Sequence, residues 1–276
     1  MATDFRPTKY FESVVRVGLD ETMELIRTIN ADIQPDLMAG NKTVIMQHID
    51  DISLSSYTGA NFTYSNADFT ELSFTLATSQ YFAETILQSN MNNETKAKKA
   101  LGTIGALAVD ALRKAFNTKV CAHYADVDAD NILAADGAFV TLTAANVFKQ
   151  LSRFVVEFDK AGVPDPLRHI IVPPEVMGLI QTVTNYTGVI GRLNANIHMC
   201  NEMSTTGSGD DKIWRILGYH KWFIMGGFGI DSIESGYETY ANHAYYINGL
   251  FNYDTDVPEA LDGYGWTMSA KIDMTA

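Results

Sequence analysis

The hydrophobic positions follow two periods, and the switch between them divides the chain. From about Met91 to Tyr124, apolar residues recur at three- and four-residue steps: Leu101, Ile104, Ala108, Ala111 or Leu112, and Ala115. That spacing is one face of a helix. No proline interrupts the run, and Ala, Leu and Lys favour the helix. Asn92 or Asn93 is placed to cap its start, with Glu94 and Thr95 in the first turn. A helix of roughly 33 residues, at about 1.5 Å each, is on the order of 50 Å long. A compact globule of this chain length, with a radius of gyration of about 19 Å, is no wider than that. Such a spar suits a thin plate better than a ball.

Residues 1 to about 39 begin extended and then turn helical, with Phe11, Val14, Val15, Leu19, Met23, Leu25 and Ile26 in a loose amphipathic pattern that Pro35 and Gly40 close. From Lys42 to Ile52 the period is two: Val44, Met46, His48 and Asp50 alternate with Ile45, Gln47 and Ile49. The same period returns in Leu72, Phe74 and Leu76 against Ser73 and Thr75, and in Phe62 and Tyr64. Ser65-Asn66-Ala67-Asp68 supplies turn chemistry between them. The pattern predicts a long β-hairpin arm. With strand character from Leu72 to Gln88, its second half is roughly 55 Å long at about 3.3 Å per residue. A lone two-stranded ribbon is marginally stable in water. The arm therefore needs a surface, and another subunit is the natural one. Tyr57, Phe62, Tyr64, Phe69, Phe74, Tyr81 and Phe82 are read as interface anchors in preference to ordinary strand filling.

Beyond the long helix, Asp126, Asp128 and Asp130 have the spacing of a calcium loop, but Asn131 and Gly137 stand where its Gly and Glu belong, so a polar connection is the preferred reading. Thr143 is expected to cap a helix that stops at Gly162. A short buried strand follows at Arg168 to Val172, then a helix opened by Pro173-Pro174. Ile213 to Met225 reads as strand, turn and strand around Gly218, broken by Gly226-Gly227. After Pro258 a last strand runs from about Trp266 to Ile272.

With 276 residues, 46% of them hydrophobic, there is ample core for one large domain or two small ones. The mixed periods indicate α+β. The opening MATDFRPTKY has no apolar stretch of the kind a signal peptide needs. Two cysteines, Cys121 and Cys200, make no disulfide framework, and a reducing compartment is expected. The net charge of −13 disfavours a sequence-reading nucleic-acid binder. That charge is unevenly spread. The long helix carries Lys96, Lys98, Lys99, Arg113, Lys114 and Lys119 against Glu94 and Asp110. This basic face reads either as an ordinary solvated surface or as one turned toward a polyanion. From Thr43 through Thr95 there is no Lys or Arg, while Asp50, Asp51, Asp68, Glu71 and Glu84 fall within that span. An acidic arm and a basic helix in one chain predict pairing between neighbours in a homo-oligomer.

Catalytic motifs are not evident. Gly227-Phe-Gly229 lacks the third glycine of a dinucleotide loop, and Gly207-Ser208-Gly209 sits in a polar loop where a nucleophile elbow is not expected. Cys121-Ala-His123 and His198-Met-Cys200 have zinc-ligand residue types. Positions i and i+2 of a helix point to roughly opposite sides, however, so no metal is expected there. Neither a catalytic residue nor a cofactor is assigned; a soluble oligomeric enzyme with an unrecognised site is the remote alternative.

The order of parts resembles the major capsid proteins of tailed double-stranded DNA bacteriophages, the HK97-like fold shared with encapsulins. The resemblance runs from Thr43 to about Leu261. Asp50-Asp51-Ile52 followed by YTGANFTY looks like the start of that family's extended loop, and Phe69 to Phe82, ending SQYFAETI, like its return strand. Met91 to Tyr124 looks like its spine helix; LTAANVFKQLSRFVVEFDKAGVP with HIIVPPEVMGLI looks like the opening of its axial domain. INGLFNYDTDVPEAL resembles the closing return. The implied division is an N-terminal arm (1–42), an extended loop (43–90), the peripheral-domain spine helix (91–130), an axial domain (131–240) and a return to the peripheral domain (241–276). The resemblance implies an icosahedral shell of hexamers and pentamers around packaged DNA, assembled in the bacterial cytoplasm and resident in the virion. Implied partners are scaffolding, portal and decoration proteins, with weak non-specific contact to DNA and no membrane. Tyr57, Phe62, Tyr64, Asp68, Phe69, Glu71 and Phe74 would form the intersubunit arm, and the six basic residues of the helix would face the lumen. With no fused scaffolding segment visible, a separate scaffold or a trimmed leader is implied. An encapsulin-like compartment for cargo enzymes is the nearest alternative.

Overall fold

A computed structural model of the chain describes residues 6–22, 24–32, 43–49, 69–75, 78–86, 88–133, 139–183, 188, 190–191, 193–238 and 244–274. Its longest helix, at Glu94–Ala122, has 29 residues and is about 44 Å long. Asn93 caps it: its backbone is extended and its side chain accepts the Lys96 N–H at 3.2 Å. A 3-10 turn, His123–Ala125, closes the other end. The N-terminal helix, α1 (Pro7–Thr22), buries Phe11, Val15 and Leu19 against this spine, α2. Two glycines let the helices approach. A Cβ on Gly105 would lie 2.8 Å from Val14 Cγ1, and one on Gly18 would lie 2.9 Å from Val109 Cγ2. Ala97, Leu101, Ala108, Val109, Leu112, Phe116 and Val120 form the buried stripe of α2, whereas Ala111 is exposed.

Strands β1 (Thr43–Ile49) and β2 (Phe69–Thr75) pair antiparallel over their whole lengths, from Thr43 opposite Thr75 to Ile49 opposite Phe69. The return strand does not continue to Gln88 as one arm. It stops at Thr75 and resumes as β3 (Thr78–Ile86) in a different, three-stranded sheet of order β3, β10 (Ala244–Asp256), β9 (Met225–Glu238). The reason is packing within the chain. Phe82 of β3 lies 5.5 Å from the rings of both Phe11 and Phe251, and Ile86 is buried. Gly249, opposite Phe82, leaves room for that ring. Part of the presumed arm is thus part of the body.

The remaining strands form a mixed six-stranded sheet: β4 (Val140–Leu142), β11 (Gly265–Ile272), β8 (Ile213–His220), β5 (Arg168–Val172) and β6 (Asn196–Met199) in that order, with β7 (Thr205–Thr206) paired to β8. β5 is buried at every residue. Helix α3 (Val147–Lys160) packs on this sheet through Val147, Leu151, Phe154 and Phe158. Its N-cap is Asn146, not Thr143, whose carbonyl instead accepts the Val147 N–H. At its other end Gly162 has φ +68°, Val163 N–H bonds Phe158 O and Gly162 N–H bonds Asp159 O, the doubly bonded glycine stop. Helix α4 (Pro174–Thr182) starts on Pro174 as expected.

Gly218 makes no turn. It lies inside β8, where a Cβ would stand 2.9 Å from Phe154 Cε1. Gly226 and Gly227 do not break the chain either; they open β9, because a side chain at Gly226 would strike Ile29 and Thr255. The chain leaves the six-stranded sheet after His220 and enters the three-stranded one at Met225, and its last strand, β11, lies in the six-stranded sheet. Alternation reveals strands, but not which sheet edge takes each one.

Residues 24–30 tie the two layers together. Asn30 bridges to the start of β9 through Asn30 N–H to Ile224 O (2.8 Å) and Gly226 N–H to Asn30 O (3.2 Å). Thr28 Oγ1 meets the buried Tyr219 hydroxyl at 2.6 Å. Burial holds that phenol far above its ordinary pKa.

Candidate assembly surfaces

The ribbon of β1 and β2 has two unlike faces. Directly opposed residues share a face. Ile45 and Ser73 are opposed and both exposed, Ile45 at 62%, with Thr43 and Thr75 alongside. Val44 and Phe74 are opposed on the other face, and Phe74 is only 2% exposed. Phe74 is therefore spent within its own chain and is not an open anchor for a neighbour, which corrects that expectation. Phe69 and Glu71 sit on β2 opposite Ile49 and Gln47. Tyr57, Phe62, Tyr64 and Asp68 lie outside the described residues. Among the described residues, neither β1 nor β2 makes an extensive contact with another element.

A second unfinished surface is β3, an edge of its sheet. Ser79, Gln80, Tyr81, Ala83, Glu84 and Thr85 are all exposed, Tyr81 at 69%. An edge strand of nine residues presents backbone donors and acceptors that another chain can pair with.

The six cations of α2 do not form one face. Lys96, Lys98 and Lys99 are exposed near its start, and Lys98 pairs with Glu94 at 2.6 Å. Arg113 and Lys114 both contact Asp110, each at 2.7 Å, and these hydrogen bonds, Lys114's first, hold that carboxyl below its ordinary pKa. Lys119 points the other way. Its ammonium bonds the Asp254 carboxylate and the Thr78 hydroxyl and lies 5.8 Å from the Tyr253 ring centroid. It joins α2 to β3 and β10. Helical phase alone did not single it out: Lys119 follows the buried Leu101 by 119 − 101 = 18 residues, but Lys98 precedes the buried Phe116 by 116 − 98 = 18 and is exposed. Lys96 and Lys99 have no ion pair among the described residues and border an open cleft of about 510 Å³ with Thr85, Ile86, Asn90, Ala100, Thr103 and Ile104.

The zinc-ligand types do not converge. Cys121 and Cys200 approach to 3.4 Å. His123 turns to Asp126 (2.6 Å) and Thr255 (2.8 Å). His198 turns to His169 (3.0 Å) and Glu24 (3.1 Å). Burial, with lesser repulsion from His198, His220 and Lys221, lowers the His169 pKa to about 4. Asp128 accepts the Asp130 N–H in a local turn, and Asp126 is engaged by His123. Among the described residues, no group of three or more His, Cys, Asp or Glu side chains is arranged to hold a metal, and no helix is long and apolar enough to cross a membrane. The meeting of the two cysteines, 79 residues apart, had no sequence signal.

A spine helix on a three-stranded sheet, a second mixed sheet with helices of its own and a separate two-stranded ribbon together define the HK97-like α+β fold of phage capsid proteins. Among solved structures, that of Mycobacterium phage Che8 aligns over 87% of this chain and 88% of its own, with 15% identity and a TM-score of 0.57. The capsid of Ralstonia phage GP4 aligns over 83% and 82%, with 10% identity and a TM-score of 0.58. A virus-like particle from Pyrococcus furiosus aligns over 94% and 98%, with 8% identity and a TM-score of 0.54. No family model matches the sequence, and no curated protein matches it.

Proposed function

We propose that the chain is a major capsid protein, a structural subunit whose copies tile into the icosahedral shell around the packaged double-stranded DNA of a tailed bacteriophage. One observation carries this reading. A body with its own closed core carries a two-stranded ribbon that makes no extensive contact with another described element. Its Phe74 face is already covered, and its other face, with Ile45 and Ser73 exposed, is the one a neighbour would cover. The fold neighbours, two phage structures and a virus-like particle, support the same reading. The acidic ribbon, with Asp68 and Glu71, would cross a basic segment of the next subunit. Lys96 and Lys99, and the ion-paired Lys98, Arg113 and Lys114, would present a modestly basic surface to packaged DNA. The net charge of −13 keeps that contact weak and non-specific, as packing and later release of DNA require. Hexamers and pentamers, a scaffold, a portal and decoration proteins belong to the same proposal, as do assembly in the host cytoplasm and a final place in the virion. No residue performs catalysis in it.

The Pyrococcus particle keeps the compartment reading in view, since its structure matches over nearly the whole chain. The contents decide between the two. Particles from infected cells are imaged by electron microscopy, then opened after nuclease treatment. Closed shells containing nuclease-protected DNA are the expected result. Closed shells filled with a folded enzyme would instead establish the compartment, and an absence of shells would end both readings.

A further inference from the structure

We propose that Cys121 and Cys200 form a buried dithiol that peroxide converts to an intramolecular disulfide, a site of oxidative modification that fastens the end of α2 to the six-stranded sheet. Cys121 lies in the last turn of α2, and Cys200 directly follows β6, held by its N–H bond to Val172 O at 3.0 Å. The sulfurs are 3.4 Å apart. A disulfide is about 2.05 Å long, so they need to close by about 1.4 Å. Both side chains are buried.

The hydrogen bonds set the order of events. The Cys121 thiol donates to Cys200 Sγ, and the Cys200 thiol donates to Glu202 Oε2 at 3.3 Å. Cys200 is thus hydrogen-bonded to a carboxylate that can take its proton. Cys121 donates to Cys200 instead, and that hydrogen bond, and then burial, push its pKa well up. Cys200 reacts first and Cys121 resolves.

In the first step Cys200 passes its proton to Glu202. The thiolate's electron pair attacks one oxygen of hydrogen peroxide, the O–O bond breaks, and the departing hydroxide takes up that proton as water. Cys200 becomes a sulfenic acid. In the second step Cys121 sulfur attacks the sulfenic sulfur, the S–O bond breaks, and hydroxide leaves as water with the Cys121 proton. Two thiols and one peroxide yield one disulfide and two waters; both sulfurs are oxidised and both peroxide oxygens reduced. A reducing cytoplasm keeps the pair open, and an oxidising medium closes it. This inference does not depend on the shell reading.

The test uses the full chain. The protein is treated with hydrogen peroxide, quenched, denatured, alkylated and mapped by mass spectrometry without reduction. Oxidation of Met199 and Met274, 53% and 55% exposed, reports the dose. The expected result is a single linked peptide pair containing Cys121 and Cys200, lighter by about 2 Da and reversed by dithiothreitol. The oxidised chain should melt higher by about 5 °C or more. In Cys121→Ser, dimedone should trap a sulfenic acid on Cys200; in Cys200→Ser it should trap nothing on Cys121. The proposal is overturned if both thiols stay alkylatable once the two methionines are oxidised, if the link joins two chains, if dimedone labels Cys121, or if melting does not change. The wild-type peptide map decides even where a serine variant fails to fold.

Discussion

Replacing Lys119 by Met tests whether its cation holds α2 to β3 and β10. The substitution keeps an unbranched side chain of similar length and removes only the charge. It removes the lysine cation from the Asp254 carboxylate, whose side chain is 11% exposed and which also accepts from the Thr78 hydroxyl at 3.4 Å and the Thr255 N–H at 2.9 Å. Breaking a fully buried pair costs about 3–5 kcal/mol. Here the lysine side chain is 35% exposed, so solvent screens part of the interaction and the expected loss falls to about 1–3 kcal/mol. For a chain of this size that lowers the melting temperature by roughly 3–8 °C. Differential scanning calorimetry of the unassembled protein measures it. Lys114→Met is the control. Its partner Asp110 is solvated on the outer face, so this variant should melt with the wild type. Adding Asp254→Asn to Lys119→Met should recover part of the loss by removing the carboxylate's charge. If Lys119→Met and Lys114→Met melt alike, the assignment of Lys119 to the junction of α2, β3 and β10 is refuted.

Two further outcomes follow from the same geometry. His169 has its pKa lowered to about 4 from an ordinary 6.5, so the unfolded chain takes up the proton first. Its contribution is complete above about pH 6.5 and drains away as pH falls toward 4, by at most about 3 kcal/mol. His169→Gln should flatten that limb of a stability-against-pH curve measured by urea unfolding, and an unchanged limb would count against the burial argument. Lys96→Gln/Lys99→Gln should reduce low-salt retention of the subunit on heparin, whereas Lys119→Met should not. Equal effects would remove the distinction drawn between these lysines.

What could be read from the sequence was local. Asn93 and Pro174 fixed their helix starts because a cap or a first-turn proline is a short-range device. Arg168–Val172 was legible as a strand because every one of its side chains is buried. Long-range choices were not legible. Leu72 to Leu76 alternates and strand-forming residues continue to Ile86, and only the waiting edge of β10 and the rings of Phe11 and Phe251 divide the segment between two sheets. Gly218 and Gly226 read as turn residues because nothing nearby in sequence announces Phe154 or Ile29. Lys119 was counted with the outer cations because nothing near it in sequence announces Asp254 or Thr78.

Sedimentation velocity of the purified chain, intact and with Asp68→Lys/Glu71→Lys, tests the tiling of copies most directly. The account predicts a closed megadalton species for the intact chain and folded 30.5 kDa subunits for the charge-reversed one. An intact chain that sediments only as a monomer or small oligomer, with the reversed chain indistinguishable from it, would contradict the account.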